Sequence, residues 1–252
     1  MKAFPHFKIN IGLNIVSKRS DGFHELQTVF YPVDTIRDEL DINRIEKGVS
    51  LEVRGVENLC PMEENLCIKA FRLLQQHFSI DGVNVVLTKN IPFGAGLGGG
   101  SADAAVALKM YNELFDLKLS KSELLELAAK LGSDTAFFIE DQAVYATGRG
   151  ELMQPVPLDL SNYRIQIVKP DFGISTKEAY SGVTPHFPSY SLKECIQQPI
   201  SEWKENIVND FEQSLFPKFP ELQRIKEQLY ADGALYASLS GSGSALFGIF
   251  PK

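Results

Sequence analysis

Positive charge is scarce in this sequence of 252 residues: 25 Lys and Arg stand against 32 Asp and Glu, a formal net charge of −7. The longest basic run is Lys18-Arg19. A chain that grips nucleic acid carries a basic stripe, so no nucleic-acid partner is expected. Cysteine is also rare. Cys60, Cys67 and Cys195 are odd in number and form no Cys-x-x-Cys, which argues against a disulfide framework or a thiolate zinc site. They read as reduced structural thiols. Long apolar runs are missing too. Nothing approaches the roughly 18 apolar residues that span a bilayer. The start MKAFPHFKIN, broken by Lys2 and Pro5, does not read as a signal peptide. A cytoplasmic protein without a membrane partner is therefore expected. Internal repeats and low-complexity tracts are absent as well. What remains is an ordinary globular balance, 44% hydrophobic and 23% charged, long enough for one large domain or two modest ones.

Residues 7–16, FKINIGLNIV, alternate strictly, with Phe7, Ile9, Ile11, Leu13 and Ile15 on one face and Lys8, Asn10, Gly12 and Asn14 on the other. Period two predicts a strand with one buried face. Its polar face is unusual in carrying Lys and Asn. After the turn Asp21-Gly22, further strands are predicted at TVFYPV, LDI (40–42), SLEVRG (50–55) and VNVVLTK (83–89). Residues 63–78 place Cys67, Phe71, Leu74 and Phe78 at helical spacing. SADAAVALKMYNELF predicts a second helix. Ser120 and Glu123 form a capping box for a third, which stops at Gly132 as a C′ glycine. Pro155 and Pro157 mark a boundary, dividing the chain into 1–153 and 154–252. Beyond it come a strand at 164–168, a helix from Ser175-Thr176 and a loop at 182–191. Helical stretches at 203–215 and 220–230 follow, then strands at 234–240 and 245–250 joined by Gly241-Ser242-Gly243-Ser244. Strand, helices, strand, strand is an α+β pattern.

The strongest chemical signal is Pro92-Phe93-Gly94-Ala95-Gly96-Leu97-Gly98-Gly99-Gly100-Ser101, with five glycines in seven positions between a strand and a helix. Glycine lets backbone approach a ligand closely, and the helix start that follows offers unpaired N–H groups and a positive dipole end. Together they suit a phosphate. The loop lacks the closing Gly-Lys-Ser/Thr of a Walker A motif. It matches Gly-x-Gly-x-x-Gly literally, but the second strand of a dinucleotide fold is missing, because residues 117–131 are helical in pattern.

This loop resembles the signature of the GHMP kinase superfamily, which includes galactokinase and the homoserine, mevalonate and phosphomevalonate kinases. FKINIGLNIVSKRSDGFHELQTVF, IPFGAGLGGGSADAA, LGSDTAFF, ATGRGE (146–151), NDFE (209–212) and SGSGSALFG extend the resemblance over nearly the whole chain. They point to the branch that phosphorylates a hydroxyl of a cytidine-diphosphate-linked methylerythritol in isoprenoid precursor synthesis. The resemblance implies a two-domain α+β fold, with an N-terminal α/β domain carrying the phosphate loop and a ferredoxin-like C-terminal domain that closes the cleft. It implies ATP and Mg²⁺, a substrate with a cytidine diphosphate moiety, and a monomer or weak homodimer. A homoserine- or mevalonate-type kinase, or a catalytically silent binding protein of the same fold, remains the alternative. Two departures stand out: Ser101-Ala102-Asp103 replaces Ser-Ser-Asn, and Thr135-Ala136 replaces a proline-bearing stretch.

Roles follow from the resemblance residue by residue. Asp134, by itself a first-turn acid, is implied as the group that takes the acceptor hydroxyl's proton. Lys8, by itself a surface lysine, is implied beside it as a catalytic cation, with Asn10 on the substrate. His24 would read the cytosine edge, with Phe23 and Tyr180 stacking on its faces; Tyr180 as plain core packing stays open. Asn65, by itself a helix-start residue, and Lys89 are implied as adenine contacts. Pro92, Phe93, Gly94, Ala95, Gly96, Leu97, Gly98, Gly99, Gly100, Ser101 and Ala102 are implied to hold the ATP phosphates. The turn 240–244 is implied to line the active site.

Overall fold

The computed structural model describes every residue except Asn58. In chain order the strands and helices are β1 (Lys2–Ala3), β2 (Phe7–Lys18), β3 (His24–Val33), β4 (Glu39–Ile45), β5 (Val49–Arg54), α1 (Leu66–Gln75), β6 (Gly82–Thr88), α2 (Gly99–Leu114), α3 (Lys121–Leu131), α4 (Phe137–Glu140), β7 (Val144–Thr147), β8 (Leu152–Pro155), β9 (Tyr163–Val168), α5 (Thr176–Ser181), α6 (Leu192–Cys195), α7 (Ile200–Asn206), α8 (Asp210–Leu215), α9 (Pro220–Ala231), β10 (Tyr236–Leu239) and β11 (Leu246–Pro251). They fall into two compact units, each discontinuous in sequence.

The first unit comprises Met1–Phe7, Asp34–Phe93 and Gly98–Asp141. Its sheet runs β1-β4-β6-β5, antiparallel except for the parallel β5/β6 pair, with Ile42 opposite Val85 and Leu40 opposite Leu87. These four side chains are buried. The helix predicted over 63–78 is shorter than its pattern. A 3-10 turn at Met62–Glu64 comes first, and α1 starts only after Asn65, whose side chain accepts from the N–H of Cys67 at 2.9 Å. An N-cap of this kind satisfies one of the four orphan donors of the first turn. The apolar stripe of α1 meets α2, where Phe71 packs on Tyr111 with ring centres 5.3 Å apart. The capping box at Ser120 and Glu123 forms as predicted. Gly132 does end α3, but as an extended C-cap with φ 174° rather than a left-handed C′ glycine.

The second unit comprises Lys8–Val33, Gly94–Leu97 and Gln142–Lys252. One sheet runs β2-β3-β7-β8 and the other β10-β11-β9, antiparallel throughout its pairs. Strand β2 departs from the one-faced strand predicted for it: every residue from Phe7 to Val16 is buried, Lys8, Asn10 and Asn14 included. Alternation marked two chemically different faces, and both are covered. Strands β7 and β8 carry no clear period-two signal and were not predicted. The helical stretch predicted at 203–215 is two helices, because Asn209 adopts β geometry and caps α8 by accepting from Phe211 N–H at 3.0 Å. The helices pack a core that includes Leu13, Ile15, Phe211, Leu222, Leu239 and Phe250.

Phe71 is wholly buried, so Phe71→Ala removes its contact with Tyr111 and leaves a void. Unfolding free energy should drop by about 3–5 kcal/mol, read from denaturant melts. A loss below about 1 kcal/mol would mean that the α1/α2 seam is not a cornerstone of its unit.

Candidate active site

Within the second unit, the middle of the glycine loop is held on all sides. The Lys8 ammonium donates to Gly96 O at 2.9 Å and to Asn10 Oδ1 at 2.5 Å. Asn10 Nδ2 in turn donates to Thr28 Oγ1 at 3.0 Å, and Thr28 donates to Gly12 O. Ser240 Oγ donates to the same Gly96 O at 3.2 Å and accepts from the Asn10 N–H at 3.3 Å. Ala245 N–H bonds Ala95 O at 3.2 Å, and Lys8 N–H bonds Leu97 O at 3.0 Å. Gly96 has φ +76°, and a Cβ there would overlap the Ser240 carbonyl. Glycine is required on both counts. The polar face of β2, so odd in the sequence, is thus the floor under this loop.

The turn at 240–244 is itself anchored. Asn209 Nδ2 donates to Leu239 O and Gly241 O, both at 2.9 Å. Glu212 Oε1 accepts from Leu239 N–H at 2.8 Å and from Ser238 Oγ at 3.1 Å. NDFE stood out in the sequence, but its task did not, because its partners lie about thirty residues away.

Nearby in the same unit, His24 and Tyr180 stack face to face, with ring centres 4.8 Å apart and planes 26° apart. Tyr180 also meets Phe211 edge-on at 4.9 Å. It therefore packs against the core edge as well as on the His24 ring. Phe23 is exposed, and its ring lies under the Arg149 guanidinium at 4.9 Å. Burial, with Lys18 adding to it, holds the His24 imidazole below its usual pKa, so the ring is neutral at pH 7. A neutral imidazole both donates and accepts.

Within the first unit, the loop's two ends are fixed by charge. Asp38 Oδ1 accepts from Asn90 N–H at 2.6 Å and Ile91 N–H at 2.8 Å. The Lys89 ammonium bridges Asp38 and Asp103, the latter at 2.7 Å. All three side chains are buried. Lys89, expected at adenine, spends its charge on these two carboxylates, which hold its pKa up although burial works against it. Asp38 was not singled out in the sequence; a lone acid ahead of a strand carries no signal.

Past Gly98, itself left-handed at φ +73°, helix α2 opens with no acidic residue in its first turn. Its N–H groups and dipole remain available to an anion. The Ser101 hydroxyl lies 3.9 Å from where a Cβ on Gly132 would sit, which places the turn leading to Asp134 beside the start of α2. Asp134 itself is half-buried and accepts from Ser133 Oγ at 3.3 Å.

Asn65, Lys89 and Phe93 share a cavity of about 220 Å³ with Leu59, Leu66 and Asp103. Among the described residues no cluster of three His, Cys, Asp or Glu could hold a metal ion. No helix among them is long and apolar enough to cross a membrane.

Comparison with known proteins agrees with this geometry. Residues 65–146 match the GHMP kinases N terminal domain and residues 191–252 the GHMP kinases C terminal. A Bacteroides fragilis protein, 4-diphosphocytidyl-2-C-methyl-D-erythritol kinase, is 49% identical over 99% of this chain and 92% of its own length. The Parabacteroides distasonis protein of that name is 50% identical over 100% and 92%. A crystal structure of 4-(cytidine 5'-diphospho)-2C-methyl-D-erythritol kinase superposes with a TM-score of 0.84 at 32% identity, covering 99% of this chain and 90% of that one. A homoserine kinase from Cytophaga hutchinsonii shares the fold, with a TM-score of 0.72 at 20% identity over 98% and 85% of the two chains.

The buried charge cluster has a pH signature. Burial pushes the Asp103 carboxyl up to about 7, against the pull of Lys89 and with the repulsion of Asp38. A carboxyl raised on folding stabilises fully below its unfolded value near 3.8 and loses that contribution as pH climbs through the folded value. The melting temperature of the wild type relative to Asp103→Asn should therefore fall between pH 4.5 and 8. A gap that stays constant over that range would contradict the raised carboxyl.

Proposed function

Since the chain belongs to the GHMP kinases, and within them to the 4-diphosphocytidyl-2-C-methyl-D-erythritol kinase family, we propose that it transfers the γ-phosphate of ATP to the 2-hydroxyl of 4-diphosphocytidyl-2-C-methyl-D-erythritol. The observation that carries this reading is identity near one half to relatives of that name across the whole chain. The clamped glycine loop and the His24–Tyr180 pair give it a physical basis.

The loop from Pro92 to Ala102 cradles the triphosphate, with backbone N–H groups at the start of α2 meeting its charge. Asp134 orients the acceptor hydroxyl and takes its proton as the oxygen attacks the γ-phosphorus. The O–P bond forms, the bond to the β-phosphate oxygen breaks, and ADP leaves. Lys8 supplies positive charge to the reaction, and its hold on Gly96 O makes it a positioning group for the loop as well. Mg²⁺ neutralises phosphate charge in such transfers. It would be held mainly by the triphosphate, with the Ser101 hydroxyl at the start of α2 a candidate ligand. Asn10, Phe23, His24 and Tyr180 would bind the cytidylyl substrate, which would have to displace the stacking of His24 on Tyr180 and the bonds of Asn10 to Lys8 and Thr28 to use those groups directly.

A kinase for homoserine or mevalonate has no base to stack, and the His24–Tyr180 pair favours the base-bearing substrate. A silent binding protein would need no proton acceptor at Asp134.

Two results test the assignment. Asp134→Asn should keep ATP affinity and lower kcat by about two to four decades; near-normal turnover would remove Asp134 from the chemistry. Tyr180→Ala should raise KM for the cytidylyl substrate by about one to two decades, the worth of one stacked base, and leave KM for ATP unchanged. Because His24 must be neutral to both donate and accept, the wild-type KM for that substrate should also climb as the ring takes up a proton in acid. A parallel loss of ATP affinity in Tyr180→Ala would assign the pair to the wrong ligand.

A further inference from the structure

The amide of Asn10 lies between two polar groups and can satisfy both in only one orientation. Its Nδ2 donates to Thr28 Oγ1 at 3.0 Å, and its Oδ1 accepts from the Lys8 ammonium at 2.5 Å. All three side chains are buried, Thr28 completely. The far side of Thr28 sets this orientation. Its hydroxyl meets Gly12 O at 2.5 Å, and a carbonyl oxygen only accepts, so the single hydroxyl proton is committed there. The Thr28 oxygen then faces Asn10 with lone pairs alone, and the group opposite must donate. Were the amide turned over, its oxygen would meet those lone pairs and its NH₂ would meet an ammonium. Two buried mismatches would replace two hydrogen bonds. The acceptor that starts this chain is fixed as well. Gly12 has φ +65°, and a Cβ there would overlap Ile207 and Leu192.

Thr28 has no place among the groups assigned above to substrate, ATP or chemistry. Its hydroxyl nonetheless decides which end of the Asn10 amide meets Lys8, and Lys8 gives its next bond to Gly96 O at 2.9 Å. A cation held in place before the reaction needs no reorganisation during it. We propose that Thr28 is a positioning residue for phosphoryl transfer, whose hydroxyl turns the Asn10 carbonyl onto the Lys8 ammonium and so fixes that charge. This rests on reading Lys8 as the cation of the transfer.

The test uses the intact protein with ATP and the cytidylyl substrate. Thr28→Val keeps the shape of the side chain and removes the hydroxyl. Its kcat should fall by about ten- to a hundredfold, the weight of a buried group left unpaired. ATP affinity by calorimetry should be unchanged, because Ser240 still holds Gly96 O. Thr28→Ser, which retains the hydroxyl, should recover most of kcat. In an Asn10→Ala background Thr28→Val should cost nothing further, since its effect runs through that amide. A merely structural role would lower the melting temperature and leave kcat of the folded protein near wild type, which would overturn the proposal. Losses that multiply in the Asn10→Ala background would overturn it too. One arm needs no variant to fold: in wild-type NMR spectra the Asn10 side-chain NH₂ protons should exchange slowly and show a nuclear Overhauser contact with the Thr28 methyl. Fast exchange with no such contact would contradict the orientation on which the proposal stands. A wild type that transferred no phosphate would bring down the kinase reading and Thr28 with it; an active wild type with an equally active Thr28→Val would remove Thr28 alone.

Discussion

The carbonyl of Gly96 accepts from both the Lys8 ammonium and the Ser240 hydroxyl, and the space around it admits no Cβ. Much else follows from that packing. A loop with five glycines in seven positions has high conformational entropy when free. Here its centre, Ala95 to Leu97, is hydrogen-bonded to β2 and to Ser240 and Ala245 at the 240–244 turn, which restrains it. Preorganised N–H groups stabilise charge without the reorganisation that a mobile loop would need. Asn209 and Glu212 extend the same constraint into α8, since they fix the turn that fixes the loop.

The loop's entry and the start of α2 are held by a second device, the Lys89 bridge between Asp38 and Asp103. Burying one cation with two carboxylates is unfavourable unless the geometry is good and the remaining lone pairs are used. Asp38 meets that condition through the N–H groups of Asn90 and Ile91, while Asp103 keeps one oxygen unpaired.

Much of this was legible in the sequence, for identifiable reasons. The glycine loop, the capping box at Ser120 and the alternation of residues 7–16 are local patterns, and each marks a real element. The His24–Tyr180 meeting could be anticipated only through resemblance, because 156 residues separate the two (180 − 24). Covering of both faces of β2 was hidden, since polar side chains at every second position look solvated until their partners, Thr28, Gly96 and Ser240, are known. Asp38 and the task of Asn209 escaped for the same reason: their hydrogen bonds reach across 52 and 32 residues. The break before α8 was missed because Ile207, already extended as the C-cap of α7, and Val208, whose carbonyl accepts from the Leu13 N–H, take their backbone from a partner far along the chain.

All of this converges on one reaction, and a substrate panel tests it most directly. Purified protein with ATP and Mg²⁺ would be offered the cytidylyl methylerythritol, homoserine and mevalonate in parallel, with ADP release followed enzymatically and the product's phosphate located by phosphorus NMR. The account predicts turnover of the cytidylyl compound alone, with a new phosphomonoester on its methylerythritol 2-oxygen. Equal or faster phosphorylation of homoserine or mevalonate, or ADP release without a new phosphate ester on the cytidylyl compound, would contradict it.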